Sequence, residues 1–177
     1  MNEELMAQID RLDIDRRSLL DELTSLSDDT LSTKPTGDRW SILEIVEHMV
    51  LAERQVLGGL SDSVESTEKP RSLRSRLTYP AVMFVLWRRI PVKVPSRRML
   101  PKGESSLPEL CREWDRNLEW LKAHVEAMGP GDHRRAYFSH PVAGPIDTVQ
   151  AVKMARLHFD THRSQIRSLQ DSYVEPA

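Results

Sequence analysis

Three histidines stand where a helical apolar stripe would otherwise carry leucine. His48 falls in the series Ile45, His48, Met49, Ala52, Val56; His158 and His162 fall in the series Ala155, His158, Phe159, His162, Ile166, Leu169. A spacing of four is about 40° of helical rotation, so the last two rings point toward one spot. One imidazole from a facing helix completes a three-nitrogen set, and His48 is placed to supply it. Three protein ligands with positions left open for water or substrate are the pattern of a catalytic zinc-type site, not of a closed structural one. Burying three imidazoles is costly unless each finds a partner, and a single metal partners all three. Such a set accepts several divalent transition metals, with zinc or nickel the leading choices here.

The elements that must position these rings are helices. A first helix is expected from about Glu3 to Leu26, with Leu5, Ile9, Leu12, Leu19, Leu23 and Leu26 on one face. Asp28-Asp29 and Lys34-Pro35-Thr36-Gly37 end it and open a connection of about a dozen residues. The second helix starts at Ser41, which forms a capping box with Glu44. Trp40 and Ile45 flank that cap at the spacing of a hydrophobic staple, and the helix ends near Gly58-Gly59. The third starts at Ser106 with Glu109, buries Leu107, Leu110, Trp114, Leu118, Leu121, Val125 and Met128, and stops at Gly129-Pro130-Gly131. A loop through Ser139-His140-Pro141-Val142-Ala143-Gly144-Pro145 leads to the fourth, which starts at Asp147 with Gln150 as its cap partner. Four long amphipathic helices over residues 1–177 predict a single all-α domain, a four-helix bundle. The connection over 61–105 carries Pro80, Pro91, Pro95 and Pro101. Its one expected element is a short helix from Ala81 to Arg89 with Pro80 at the start.

Composition narrows the class. The chain has 177 residues, 39% hydrophobic and 29% charged, as a globular protein does. One cysteine, Cys111, excludes an intrachain disulfide and an all-cysteine metal site; it reads as a small buried hydrophobe. The acidic start Met1-Asn2-Glu3-Glu4-Leu5 is unlike a secretion signal, and the apolar run from Ala81 to Trp87 is short for a membrane span. A cytoplasmic location is the simplest expectation. The net charge of -2 conceals an asymmetry: residues 69–102 hold ten Lys and Arg and no Asp or Glu, which leaves 15 basic against 27 acidic residues elsewhere. The basic run reads as a solvated face, as the wall of a site for an anionic substrate, or as a surface for lipid or nucleic acid. No DNA- or RNA-reading motif accompanies it, so nucleic acid is not the expected partner.

Three segments resemble a known family. Arg39-Trp40-Ser41-Ile42-Leu43-Glu44-Ile45-Val46-Glu47-His48 is similar to the W-S-x-x-E-x-x-x-H helix start of the DinB-like (YfiT-type) superfamily. His158-Phe159-Asp160-Thr161-His162-Arg163-Ser164-Gln165-Ile166 is similar to its H-x-x-x-H-x-x-Q-I signature, and His140-Pro141-Val142-Ala143-Gly144-Pro145 to the H-P-x-x-G-x element before its last helix. The resemblance implies a four-helix bundle with a divalent metal held by His48, His158 and His162, and often a homodimer. It also implies transferases and isomerases that use low-molecular-weight thiols, or metal-dependent hydrolases. A metal with an open position lowers the pKa of a bound thiol or water, so the ligand set alone leaves S-transfer and hydrolysis open. His140 and Asp160 are candidates for a general base, Glu44 and Gln165 for groups just outside the ligands; Glu44 is placed to orient His48, and Gln165 to contact substrate or another helix. The rival reading is a non-catalytic bundle that binds a partner through residues 69–102. His124 and His133 read as ordinary solvated histidines, Trp114 as core and Trp120 as half-exposed.

Overall fold

The computed structural model describes residues 2–35, 37, 39–57, 68–70 and 73–174. Among them are six α-helices and one small sheet: α1 (Asn2–Thr24), α2 (Asp28–Ser32), α3 (Ile42–Val56), α4 (Leu73–Trp87), α5 (Leu107–Ala127), β1 (Ala136–His140), β2 (Gly144–Asp147) and α6 (Thr148–Val174). The four long amphipathic segments are the four expected. α1 packs against α5 and α6, and α3 packs against the same two. Between them lies a core of Leu19, Leu23, Ile45, Met49, Trp114 and Phe159; a second cluster around Ile9, Val125, Phe138 and Ile146 closes the other end. No helix is long and apolar enough to cross a membrane among the described residues.

The helix starts follow from local chemistry. At α3 the Glu44 N–H donates to Ser41 Oγ (3.2 Å) and the Ser41 N–H donates to Glu44 Oε2 (2.9 Å). At α5 the Ser106 N–H donates to Glu109 Oε2 (2.8 Å). At α6 the Gln150 N–H donates to Asp147 Oδ1 (2.8 Å), and the Gln150 amide oxygen returns the favour to the Asp147 N–H (3.1 Å). The exchanges at α3 and α6 each satisfy two backbone donors, and the bond at α5 satisfies one. Trp40, at the staple position before α3, lays its ring 4.9 Å from that of His48.

Three expectations are corrected. The connection after α1 is not simply a loop: it contains the single turn α2, capped by Ser27, whose Oγ accepts from the Thr30 N–H, and it buries Leu31. The helix expected over 81–89 begins at Leu73, with Pro80 inside it. Proline there cannot donate to the carbonyl four residues back. The helix continues regardless because Tyr79, Val82, Met83 and Leu86 pack into the second core cluster. The loop before α6 is an antiparallel hairpin, with Phe138 opposite Ile146 and His140 opposite Gly144. Its strands are short and the second contains Pro145, so alternation was too brief to read. Tertiary burial of Ala136, Phe138 and Ile146 fixes them instead. Gly144 holds φ +72°, and a side chain there would meet Ser75 of α4 at 3.2 Å, so glycine lets hairpin and helix touch. The expected end of the second helix at Gly58-Gly59 lies outside the described residues.

Phe159 sits one residue after a site histidine, its ring 6.4 Å from that of Trp114 and almost wholly buried. Phe159→Ala is expected to cost about 3–5 kcal/mol of unfolding free energy. Urea denaturation followed by far-UV circular dichroism measures it.

Candidate metal centre

The side chains of His48, His158 and His162 offer one nitrogen each, all within 4.8 Å of one another. Nε2 of His158 lies 3.3 Å from Nε2 of His48 and 3.1 Å from Nε2 of His162. α3 brings the first and α6 the other two, at the spacing of one helical turn.

Two outer contacts fix how the rings face. Nδ1 of His48 lies 2.8 Å from the Met99 carbonyl oxygen. A carbonyl only accepts, so Nδ1 carries the proton and Nε2 presents a lone pair. Nδ1 of His162 lies 3.0 Å from Gln165 Oε1, with the same consequence. Two lone pairs therefore face the Nε2 of His158, which has at most one proton to offer. The three nitrogens are one electrophile short, a donor set that fits a divalent transition metal and has no carboxylate in it.

The electrostatics agree. Burial holds the His48 imidazole below its ordinary pKa, against a smaller opposing pull from the Met99 carbonyl. Burial and then the neighbouring rings push His158 well below the usual range. His162 is pushed down to about 4 by burial, with His48 adding to the effect. All three rings are neutral at pH 7, as ligation requires.

The remaining candidates separate. Glu44 is occupied by its cap and by Lys34 Nζ at 2.8 Å, so it is Met99 and not Glu44 that holds Nδ1 of His48. One position before the histidine, Glu47 accepts the N–H groups of Lys102 (3.1 Å) and Gly103 (2.8 Å). It thereby fastens to α3 the segment that carries Met99. Periodicity could not show this, because Glu47 reads as surface but is buried. Asp160 is paired with Arg156, which also binds Asp15 of α1, so it ties α6 to α1 and is absent from the cavity wall. His140 does line the cavity. Its Nδ1 accepts from the N–H groups of Val142 (3.2 Å) and Ala143 (3.0 Å), and burial pushes its pKa down to about 4. The neutral ring therefore carries its proton on Nε2 and is a donor.

The histidines open into a cavity of about 910 Å³. Its wall is largely apolar, with Leu12, Val56, Val85, Leu118, Leu121 and Met154 among the contributors. Glu53 also lines it, and sequence reading missed it. Its Oε2 accepts from the Trp114 indole N–H at 2.7 Å, and burial pushes its carboxyl up to about 7. Arg89 and Lys93 of the basic run stand at the same wall. His124, expected in solvent, is instead 4% exposed and stacked on Trp120, with ring centroids 5.4 Å apart. The hairpin closes over it, with Phe138 against its edge.

Comparison with known proteins shows the family. A family model described as the DinB superfamily matches residues 11–166, and the chain belongs to that superfamily. A relative, YuaE of Bacillus subtilis (strain 168), described as uncharacterized, is 26% identical over 156 residues, covering 85% of this chain and 89% of that protein. No solved structure matches.

Depressed imidazole pKa values have a definite sign. Between pH 6.5 and about 4 the unfolded chain binds protons that the native rings refuse. Stability of metal-free protein is therefore full above pH 6.5 and is lost as pH falls through that window. Urea midpoints in the presence of a chelator should drop from pH 7.5 to pH 5, and His158→Leu should flatten the drop. An equal drop in both proteins would show that the rings do not govern it.

Proposed function

We propose that His48, His158 and His162 hold one divalent transition metal, zinc or nickel, on a four-helix bundle formed by α1, α3, α5 and α6. We infer that the chain is a metal-dependent enzyme acting on a small molecule. The observation that carries this reading is the convergence of three neutral imidazole nitrogens, two with their outer nitrogens already committed, at the wall of a largely apolar cavity. Membership of the DinB superfamily supports it.

Bound there, the metal would supply Lewis acidity that makes a thiol or a water acidic at neutral pH. The chain's own groups do the rest. The Met99 carbonyl and Gln165 keep the ligand rings in the correct tautomer. Nε2–H of His140 is available to donate to an oxygen that gains charge in the substrate. The Glu53 carboxyl, with its pKa near 7, can take up or release a proton at working pH. An apolar wall discourages bulk water, which favours transfer of a low-molecular-weight thiol over hydrolysis. Arg89 and Lys93 suit a substrate or thiol bearing carboxylates.

Elemental analysis of the purified, tag-free protein tests the site. The parent should carry about one equivalent of metal, and His158→Ala should carry none with its helical content intact. Gln165→Ala should retain the site but bind the metal about 10–100-fold more weakly in a chelator competition. A parent that stays metal-free after incubation with zinc and with nickel overturns the reading.

A further inference from the structure

From Leu77 onward α4 carries apolar side chains on two opposite faces, and one of those faces is left exposed. Tyr79, Val82, Met83 and Leu86 face the second core cluster. On the opposite face Leu77 is 77% exposed, Phe84 54% and Trp87 63%. Positions seven and ten residues apart share one face of a helix, so these three form a single strip with the exposed Pro80 and Ala81. The chain beyond the helix prolongs it through Ile90 and Val92, which is 63% exposed. Large aromatic and aliphatic side chains clustered in solvent mark a docking surface.

Charge says what docks. Arg76, Arg88, Arg89 and Lys93 are all exposed in α4 or just after it, and no Asp or Glu occurs from residue 69 to residue 102. The Arg88 guanidinium lies 5.7 Å over the Trp87 ring, so cation and aromatic present themselves together. A second copy meeting this face about a two-fold axis would bring two such cationic sets together, and like charges repel. An aromatic strip rimmed by arginine and lysine suits an anionic bilayer, where rings enter the headgroup boundary and cations meet lipid phosphates.

We propose that the outer face of α4 and the run Arg88–Lys93 dock on an anionic lipid membrane, with the chain lying on the surface and not crossing it. The same run forms part of the cavity wall: Arg89, Ile90, Val92 and Lys93 are both exposed and cavity-lining. Docking therefore sets the cavity beside the bilayer, where apolar molecules concentrate. The docking does not depend on the histidine site; delivery of a substrate to that site does.

Co-sedimentation of the full chain with vesicles tests the proposal, with and without chelator. The protein should pellet with vesicles of phosphatidylglycerol and phosphatidylcholine in equal parts, and stay in solution with phosphatidylcholine alone. Phe84→Ser/Trp87→Ser and, separately, Arg76→Glu/Arg88→Glu should each weaken binding at least about tenfold, with thermal unfolding unchanged because all four side chains are exposed. Equal partition with both vesicle types, or with neither, overturns the proposal. So does capture by soluble polyglutamate that the Phe84→Ser/Trp87→Ser change leaves unaltered. A parent that sediments as a dimer and becomes monomeric in that variant, without vesicle affinity, assigns the face to a second copy instead. Chelator should leave the vesicle result unchanged, so this test and the metal analysis can fail independently.

Discussion

The Met99 carbonyl accepts the Nδ1 proton of His48, and that bond decides which nitrogen of the ring faces the cavity. Without it the ring could present a proton where a lone pair is needed. The carbonyl stays in place because Glu47, the residue before His48, grips the backbone at Lys102 and Gly103 just beyond. One turn of α3 thus supplies both the imidazole and the clamp on the segment that orients it. Gln165 does the corresponding service for His162 from within α6, three residues along the same helix. The two devices differ in kind: one is long-range and depends on the fold, the other is local and travels with the helix.

The clefts and charges around the site follow from how the helices are tied. Arg156 and Arg163 of α6 reach Asp15 of α1, and Arg16 of α1 reaches Asp115 of α5. Arg16 is almost wholly buried and its guanidinium lies over Trp114. Trp114 in turn donates to Glu53. Removing the partners of buried Arg16 is far more damaging than their net contribution suggests, because its charge is left unpaired. The apolar cavity therefore has one polar edge, where Arg16, Trp114 and Glu53 meet.

Much of this was legible in the sequence, and the reason is periodicity. The stripes of α1, α3, α5 and α6 run for many turns, and Ser41, Ser106 and Asp147 mark their starts by chemistry that acts over three residues. The histidines were legible because they interrupt those stripes. What escaped was short or non-local. The hairpin is too brief to alternate, and α4 buries a face that proline seemed to forbid. His124 is buried by strands that the sequence did not announce. Glu44 was placed correctly as a cap; its carboxylate is fully spent there, so the bond to His48 came from a carbonyl that no side-chain pattern can reveal. Glu53 was invisible because a carboxylate off the stripe ordinarily reads as solvent-facing.

One further consequence lies in where the three rings sit along the chain. His48 and His158 are 110 residues apart. During synthesis the chain emerges from its amino end, so α3 is long complete before the residues of α6 leave the ribosome. No fragment that stops short of α6 can gather the three nitrogens, and closing so long a loop is work that the helical packing must do first. The three rings are thus brought together last, once α6 has packed against α3.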